Sequence, residues 1–422
     1  MNSKLLLGIA IGLAALTIVV SSTLAATFDL VAIHPEVAQQ TTVYGDHIAT
    51  LKPFNGKLYA GYGDYGANTG PIAVRAFDPS AGAFTDPMLT SQTEAIYIYR
   101  ELGGKLYAPN IDTRGGGSGY AVGTAGNPDT WQDVITVDGV HMFDMNTFNG
   151  TDLFQGGTAG NGDGIVYRST DGGATWTESL RMLAGQNLDK NPNNVDVRIH
   201  GLGLYQGKLY ADMEQVVLSG SSIYYATGKN ALPSMVFDGT SWTTGPMLTS
   251  SGYMSHPEEF AGDLVYLTDG LFASPMFAYN GKRAAQIYNS KGKNATSDYI
   301  YDYTIADGVL YALTSDEHIV STTNLKNWSQ LPDIAPSGAR SIGLLNDVLY
   351  VGGKGGDLWR YSDPLAAATM MSSELSMVAA VPEPSTLAMF LLGLLAVGCS
   401  RFTMMKAPWL SRHYGPGFAS SH

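Results

Sequence analysis

Seven times along this chain an apolar residue leads into a tight turn, and a short run ending in an aromatic ring follows. The copies are Phe54–Tyr59, Leu102–Tyr107, Phe148–Phe154, Tyr205–Tyr210, Phe260–Tyr266, Ala306–Tyr311 and Leu345–Tyr350. Counted from the second turn residue (Gly56, Gly104, Gly150, Gly207, Gly262, Gly308, Asp347), the spacings are 48, 46, 57, 55, 46 and 39 residues. The pieces read as short strands, and no helical periodicity runs through them. A period near 48 built this way predicts a β-propeller, because each unit can bury its apolar face only against the next. The expected fold is all-β with seven blades; six or eight are the alternatives if one weak copy is misread.

The copies align without gaps upstream of the turn. Position −8 holds Ile48, Ile96, Met142, Ile199, Met254, Ile300 and Ala339, and position −2 holds Phe54, Leu102, Phe148, Tyr205, Phe260, Ala306 and Leu345. Both columns are apolar, as a strand packed between neighbouring sheets requires. Each unit therefore reads as an inner strand, a turn of Asn-Gly or Gly-Gly chemistry, a Leu-Tyr strand and two outer strands. The last unit runs short after Leu358–Tyr361. The alternating segment Phe28–Ile33 is predicted to supply its missing outer strand, so that the N-terminus closes the ring and hides both open edges.

At 422 residues the chain would ordinarily hold two or three domains, but one seven-bladed ring takes up roughly 340 of them. The formal charge is −13. Lys4, Arg401, Lys406 and Arg412 lie in end segments expected to be removed, and losing these four cations takes the body from −13 to −17, or to −16 if Glu383 leaves with them. Such a surface repels phosphate backbones, which argues against a nucleic-acid partner.

Both ends read as addresses. Lys4, the apolar run Leu5–Val20 and the small residues Ser21–Ala26 describe a signal peptide over residues 1–25, cut by signal peptidase after Ala25. A retained membrane anchor is the alternative, though the run is short for a span. Near the other end, Pro382-Glu383-Pro384 is followed by the apolar stretch Leu387–Cys399 and by Arg401. This segment, 381–401, closely resembles the PEP-CTERM sorting signal of Gram-negative bacteria. The resemblance implies export, transient anchoring in the inner membrane, and cleavage by an exosortase that reads Pro382, Glu383 and Pro384. It also implies delivery to the envelope or extracellular matrix in bacteria that make exopolysaccharide. Members of that family end soon after a dense basic cluster, whereas here 21 residues (402–422) follow a single Arg401. The sparse charge weakens the orientation signal. A Pro-rich linker before an ordinary tail anchor is the alternative. The propeller is assigned to 27–363 and a linker to 364–380. Cys399, the single cysteine, falls in the sorting segment, so a processed body has neither a disulfide nor a thiolate metal site.

Outer hairpins carry Trp131, Trp176, Trp242 and Trp328. One matches S-x-D-x-G-x-T-W through Ser169, Asp171, Gly173, Thr175 and Trp176, and the body resembles kelch-like and Asp-box propellers in layout. The motif is read as structural: the aspartate caps turn N–H groups and the indole wedges against the next sheet. A sialidase is not expected, because Arg198-Ile199-His200 is mid-chain and lacks the proline of an Arg-Ile-Pro start.

Chemistry is expected at the axis, where inner strands begin. Position −9 holds His47, Ala95, His141, Arg198, Tyr253, Tyr299 and Gly338; position −7 holds Ala49, Tyr97, Phe143, His200, Ser255, Tyr301 and Arg340. With His256 beside them, His47, His141 and His200 could converge on a divalent cation, Ca²⁺ or a transition metal. The polar loop Asp189–Asp196 has alternating oxygen donors but lacks the glycine and terminal glutamate of a calcium loop. Three readings of the mouth stay open: a hydrated lining, a carbohydrate- or ligand-binding mouth, and a metal-assisted polysaccharide lyase or glycoside hydrolase. The expected role is a non-catalytic scaffold at the surface or in the biofilm matrix, binding polysaccharide or a matrix protein through a blade face.

Overall fold

The computed structural model describes residues 28–362 apart from 114–116, 185–194, 220–221, 226–230, 251, 270–271 and 292–295. The signal peptide, linker, sorting segment and tail assigned above, and most of the Asp189–Asp196 loop, lie outside the described residues. Seven antiparallel sheets form seven blades of a propeller. Their inner strands are Thr50–Phe54, Arg100–Leu102, His141–Thr147, Val195–Tyr205, Ser255–Phe260, Ile300–Ala306 and Ala339–Leu345, and define blades 1 to 7. Two short 3₁₀ turns, Val37–Gln39 and Tyr65–Ala67, are the helical elements among the described residues.

The turn chemistry sets the register. In six of the seven units the two turn residues both have positive φ, as with Asn55 (47°) and Gly56 (73°). That is the two-residue hairpin whose twist matches the strands. Phe54 therefore pairs with Lys57, and Tyr205 with Lys208. Blade 3 departs: Thr147 pairs with Leu153, and Asn149 Oδ1 accepts from the N–H groups of Thr151 and Asp152 to hold a longer loop. The −8 column is buried throughout, none of its members more than 1% exposed. Between blades 3 and 4, for example, Ile199 packs with Phe154, Val166 and Leu209.

Blade 7 is completed by Phe28–Ile33, which pairs antiparallel with Asp357–Tyr361 in the register Phe28↔Tyr361, Leu30↔Trp359 and Ile33↔Asp357. The last strand thus lies between Val348–Gly353 and the first. Blades 1 and 4 each carry a fifth strand, Leu89–Ser91 pairing with Ile72–Val74 in blade 1, and blade 4 departs the more. Its first two strands run Val195–Tyr205 and Lys208–Ser219, and a further strand, Ser222–Tyr225, pairs with the end of the second. The repeat alignment gave no sign of that extension.

Candidate functional site

The axial strands do not run straight. Pairing registers slip between Met142 and Asp144, Ile199 and Gly201, Ile300 and Asp302, and Ala339 and Ser341. The slipped residues are Phe143, His200, Tyr301 and Arg340, all members of the −7 column. A bulge adds one residue opposite one partner and re-aims its side chain. It reconciles a buried −8 residue with a −7 residue at the axis. Blade 5 takes a larger slip, between Ser255 and Glu258. There His256 holds φ +52°, a left-handed conformation that costs about 1 kcal/mol or more outside glycine.

Bulging also places carboxylates where they bind the next blade. Asp144 accepts from Leu202 N–H at 2.9 Å, and Asp302 accepts from Ile342 N–H at 3.0 Å. Asp212, on the second strand of blade 4, accepts from Met254 N–H at 2.7 Å. Burial pushes both Asp212 and Asp302 up to about 7 from 3.8. The folded protein therefore holds their protons more tightly than the unfolded chain. Their stabilising contribution is full below about pH 4 and is lost as pH rises through 7, on the order of 4 kcal/mol for each group. Asp212→Asn is expected to gain stability over the native chain at pH 8 and little at pH 4. Urea midpoints at both pH values test this, and parallel curves would count against it.

At mid-channel a charged knot crosses the axis. Arg100, 5% exposed, donates from Nε and Nη2 to Asp144 at 2.8 and 2.9 Å. Its Nη1 donates to Pro257 O and to Glu258 Oε1, both at 3.0 Å. Burial works against the guanidinium, but Asp144 and Glu258 outweigh it and raise its pKa. Just beyond, His256 Nε2 bonds Tyr97 O at 3.0 Å and Nδ1 bonds the Ser255 hydroxyl at 2.8 Å. This pattern fits a neutral ring protonated on Nε2, and burial followed by Arg100 lowers its pKa. Blades 2, 3 and 5 are thereby tied together across the ring.

Ile98 and His256 partition the channel, since both line the cavity on each side. Toward the turns lie cavities of about 220 and 510 Å³ that share Lys52, Arg100, Glu258 and Glu259. Toward the mouth lies a cavity of about 40 Å³ walled by Tyr65, Tyr97, Phe143, His200, Tyr253 and His256. Aromatic rings form a continuous wall there. His141 stacks on Phe143 (5.7 Å), Phe143 meets His200 (4.1 Å), and His200 stacks on Tyr253 (3.7 Å, 15°). Across the mouth, Arg340 sits 4.3 Å over the Tyr301 ring, and His47 leans on Asp46 at 3.3 Å. At the rim, Tyr44 meets Phe272 edge-on at 5.2 Å, and Phe272 and Tyr299 are each 51% exposed.

The four-histidine cation site is not assembled. Among the described residues no group of three His, Cys, Asp or Glu side chains could hold a metal ion. The imidazoles sit against separate groups: His47 at Asp46, His141 at Phe143, His200 between Phe143 and Tyr253, and His256 at Tyr97 O. Burial, then Arg198 and His200, push His141 down to about 3; burial and Arg198 hold His200 well below its usual value. The sequence puts His141, His200, Tyr97 and Tyr253 at the axial mouth, where Tyr97, His200 and Tyr253 line one cavity. That reading misses Arg100, whose signal is present: position −4 reads Lys52, Arg100, Asn146, Gly203, Glu258, Thr304 and Gly343, with no apolar member.

The outer turn of blade 3 is held by side chains. Ser169 Oγ accepts from Gly173 N–H and donates to Asp171, while Asp171 accepts from the N–H and hydroxyl of Thr175. Trp176 packs edge-on against Tyr120 of blade 2 at 5.8 Å. This hairpin lies outward of the mouth, on the third and fourth strands of its sheet.

Residues 380–401 match the PEP-CTERM protein-sorting motif. The chain is thus an exported seven-bladed propeller that carries an exosortase-processed sorting signal directing it to the cell envelope. No curated protein matches the sequence. Among solved structures, the chain is similar to the computationally designed Ika8 protein (10% identity, TM-score 0.46, covering 79% of this chain and 99% of that one). It is also similar to YCF48 bound to a D1 peptide (12%, 0.46, 77% and 96%). A third similarity is to a PL25 ulvan lyase bound to -[GlcA(1-4)Rha3S]- (11%, 0.43, 75% and 93%). Likenesses at this level carry no chemistry across to this chain.

Proposed function

We propose that this exported ring is a non-catalytic binding scaffold of the cell surface or extracellular matrix, and that its mouth docks polysaccharide. The observation that carries the reading is the rim. Phe272, edge-on to Tyr44, and Tyr299 of the −9 column are each half-exposed, and the mouth cavity holds about 40 Å³. A space that size takes one or two water-sized groups. A sugar ring therefore rests on the aromatic rim rather than entering the axis, and faces of this kind contribute about 0.5–1.5 kcal/mol each beyond burial. A matrix protein bound at the same rim is the other form of this scaffold.

The competing class is a metal-assisted lyase or glycoside hydrolase. It would need several imidazoles on one cation, and here each ring points at its own partner. The test is the chain-length distribution of candidate exopolysaccharides after incubation with the purified protein, with and without EDTA. Unchanged lengths with co-elution of protein and polymer are expected. Combining Phe272→Ala with Tyr299→Ala should weaken retention about tenfold. EDTA-sensitive shortening would replace the scaffold with an enzyme.

A further inference from the structure

The mouth cavity has a chemical character of its own. Tyr65, Tyr97, Phe143 and Tyr253 wall it together with Ile98 and Ile111. Among the described residues that line it there is no Asp, Glu, Lys or Arg. The two imidazoles that reach it, His200 and His256, are held below their usual pKa by burial and stay neutral at pH 7. Tyr97, Phe143, His200 and Ser255 are each 9% exposed, so solvent reaches the space. A charge entering such a lining would lose its hydration without gaining a partner. The occupant is therefore neutral. At about 40 Å³ the space takes one or two water-sized groups, which admits a methyl and excludes a pyranose ring.

The hydroxyls around the space add a second constraint. Tyr97 Oη donates to Gly63 O at 3.0 Å, and Tyr253 Oη donates to Asp269 Oδ1 at 3.1 Å. With His256 protonated on Nε2, the Ser255 hydroxyl donates to its Nδ1 at 2.8 Å. All three hydroxyls have committed their protons and keep lone pairs, so toward a ligand they accept. An N-acetyl substituent suits both constraints, with a methyl for the apolar space and an amide N–H for an acceptor. An O-acetyl ester has no N–H to give. The methyl of a 6-deoxy sugar is bonded directly to the ring and reaches less far. Asp269 also joins the cavity to the rim, since the Oδ1 that accepts from Tyr253 accepts from Phe272 N–H at 3.3 Å.

We propose that the mouth cavity is a subsite for the acetamido methyl of an N-acetylhexosamine residue, whose sugar ring stays outside on the aromatic rim. This subsite rests on reading the mouth as a carbohydrate-binding face, and it names the class of sugar. The methyl leaves water for the aromatic wall, and the amide N–H meets Ser255 Oγ at the cavity edge. Both ligand groups are neutral, so affinity should stay level between about 20 and 150 mM salt.

The probes are three β-1,4-linked glucosamine oligomers of equal length, N-formylated, N-acetylated and N-propionylated, titrated into the full protein. The acetyl form is expected to bind about fourfold more tightly than the formyl form, the effect of one buried methyl. The propionyl form, one methylene too large for the space, should bind at least about threefold more weakly than the acetyl form. Ile98→Phe fills the floor of the cavity and should erase the acetyl preference. Ile111→Val enlarges the space, should bring the propionyl form level with the acetyl form, and serves if the Phe variant unfolds. Ser255→Ala should weaken all three about fivefold through loss of the amide acceptor. Phe272→Ala should weaken all three and leave their ratios unchanged. Equal binding of the three oligomers, or an acetyl preference that survives Ile98→Phe, would overturn the subsite while leaving the rim as a sugar face. Binding of none would remove the subsite and the sugar-binding form of the scaffold together.

Discussion

Asp144→Ala is expected to destabilise the ring by about 4 kcal/mol. The substitution strips the bidentate partner from a guanidinium that is 5% exposed, and breaking one half of a buried ion pair costs about 3–5 kcal/mol. It also orphans Leu202 N–H, which Asp144 holds at 2.9 Å. The second half of the experiment separates charge from packing. Arg100→Met together with Asp144→Asn removes the buried charge while the amide oxygen still serves Leu202. That pair should recover a substantial part of the loss, because a buried ion pair replaced whole is often close to neutral. Urea midpoints of Arg100→Met, Asp144→Asn and the double variant complete the cycle, with Asp144→Ala measured beside them. A single variant within 1 kcal/mol of the native chain would mean that the knot is held by its neighbours rather than holding them.

Deleting residues 28–33 should have the larger effect on assembly. Without them, Asp357–Tyr361 becomes an open edge of blade 7, and unpaired N–H and C=O groups in a row invite pairing with another chain. The expected result is a lower, broader unfolding transition, with dimers or larger species in sedimentation. Added in trans, a peptide of sequence Phe28–Ile33 should narrow the transition and return the monomer. A deleted form that stays monomeric with native stability would show that six complete blades and one partial blade suffice.

Much of this architecture is readable in the sequence, for identifiable reasons. The turns demand residues that accept positive φ, so Asn55-Gly56 and its relatives mark every unit. The −8 residues must be apolar because two sheets close on them. The closing strand is legible because Phe28–Ile33 alternates and the last unit is one strand short. The site is less legible. A bulge is a property of pairing rather than of residue type, and nothing about His200 or Tyr301 alone says that its strand slips there. Near-equivalent positions therefore need not give side chains that converge on one point, and the four histidines of the inner strands hold different partners. Arg100 is a different case: a polar column inside a buried strand signals the axis, and it is visible once all seven copies are stacked.

The pairing of Phe28 with Tyr361 has a mechanical meaning. The chain enters and leaves the ring at directly opposed residues of an antiparallel pair. Tension applied through both ends would therefore peel the two strands apart one hydrogen bond at a time, the loading geometry against which a sheet is weakest. Tension through one end alone would have no such lever. A cut anywhere beyond Ser362 leaves the three C-terminal strands of blade 7 and its N-terminal fourth strand in place. With the signal peptide cut, the sorting tail is the one expected tether, so the ring is held through a single end and this peeling geometry is not loaded.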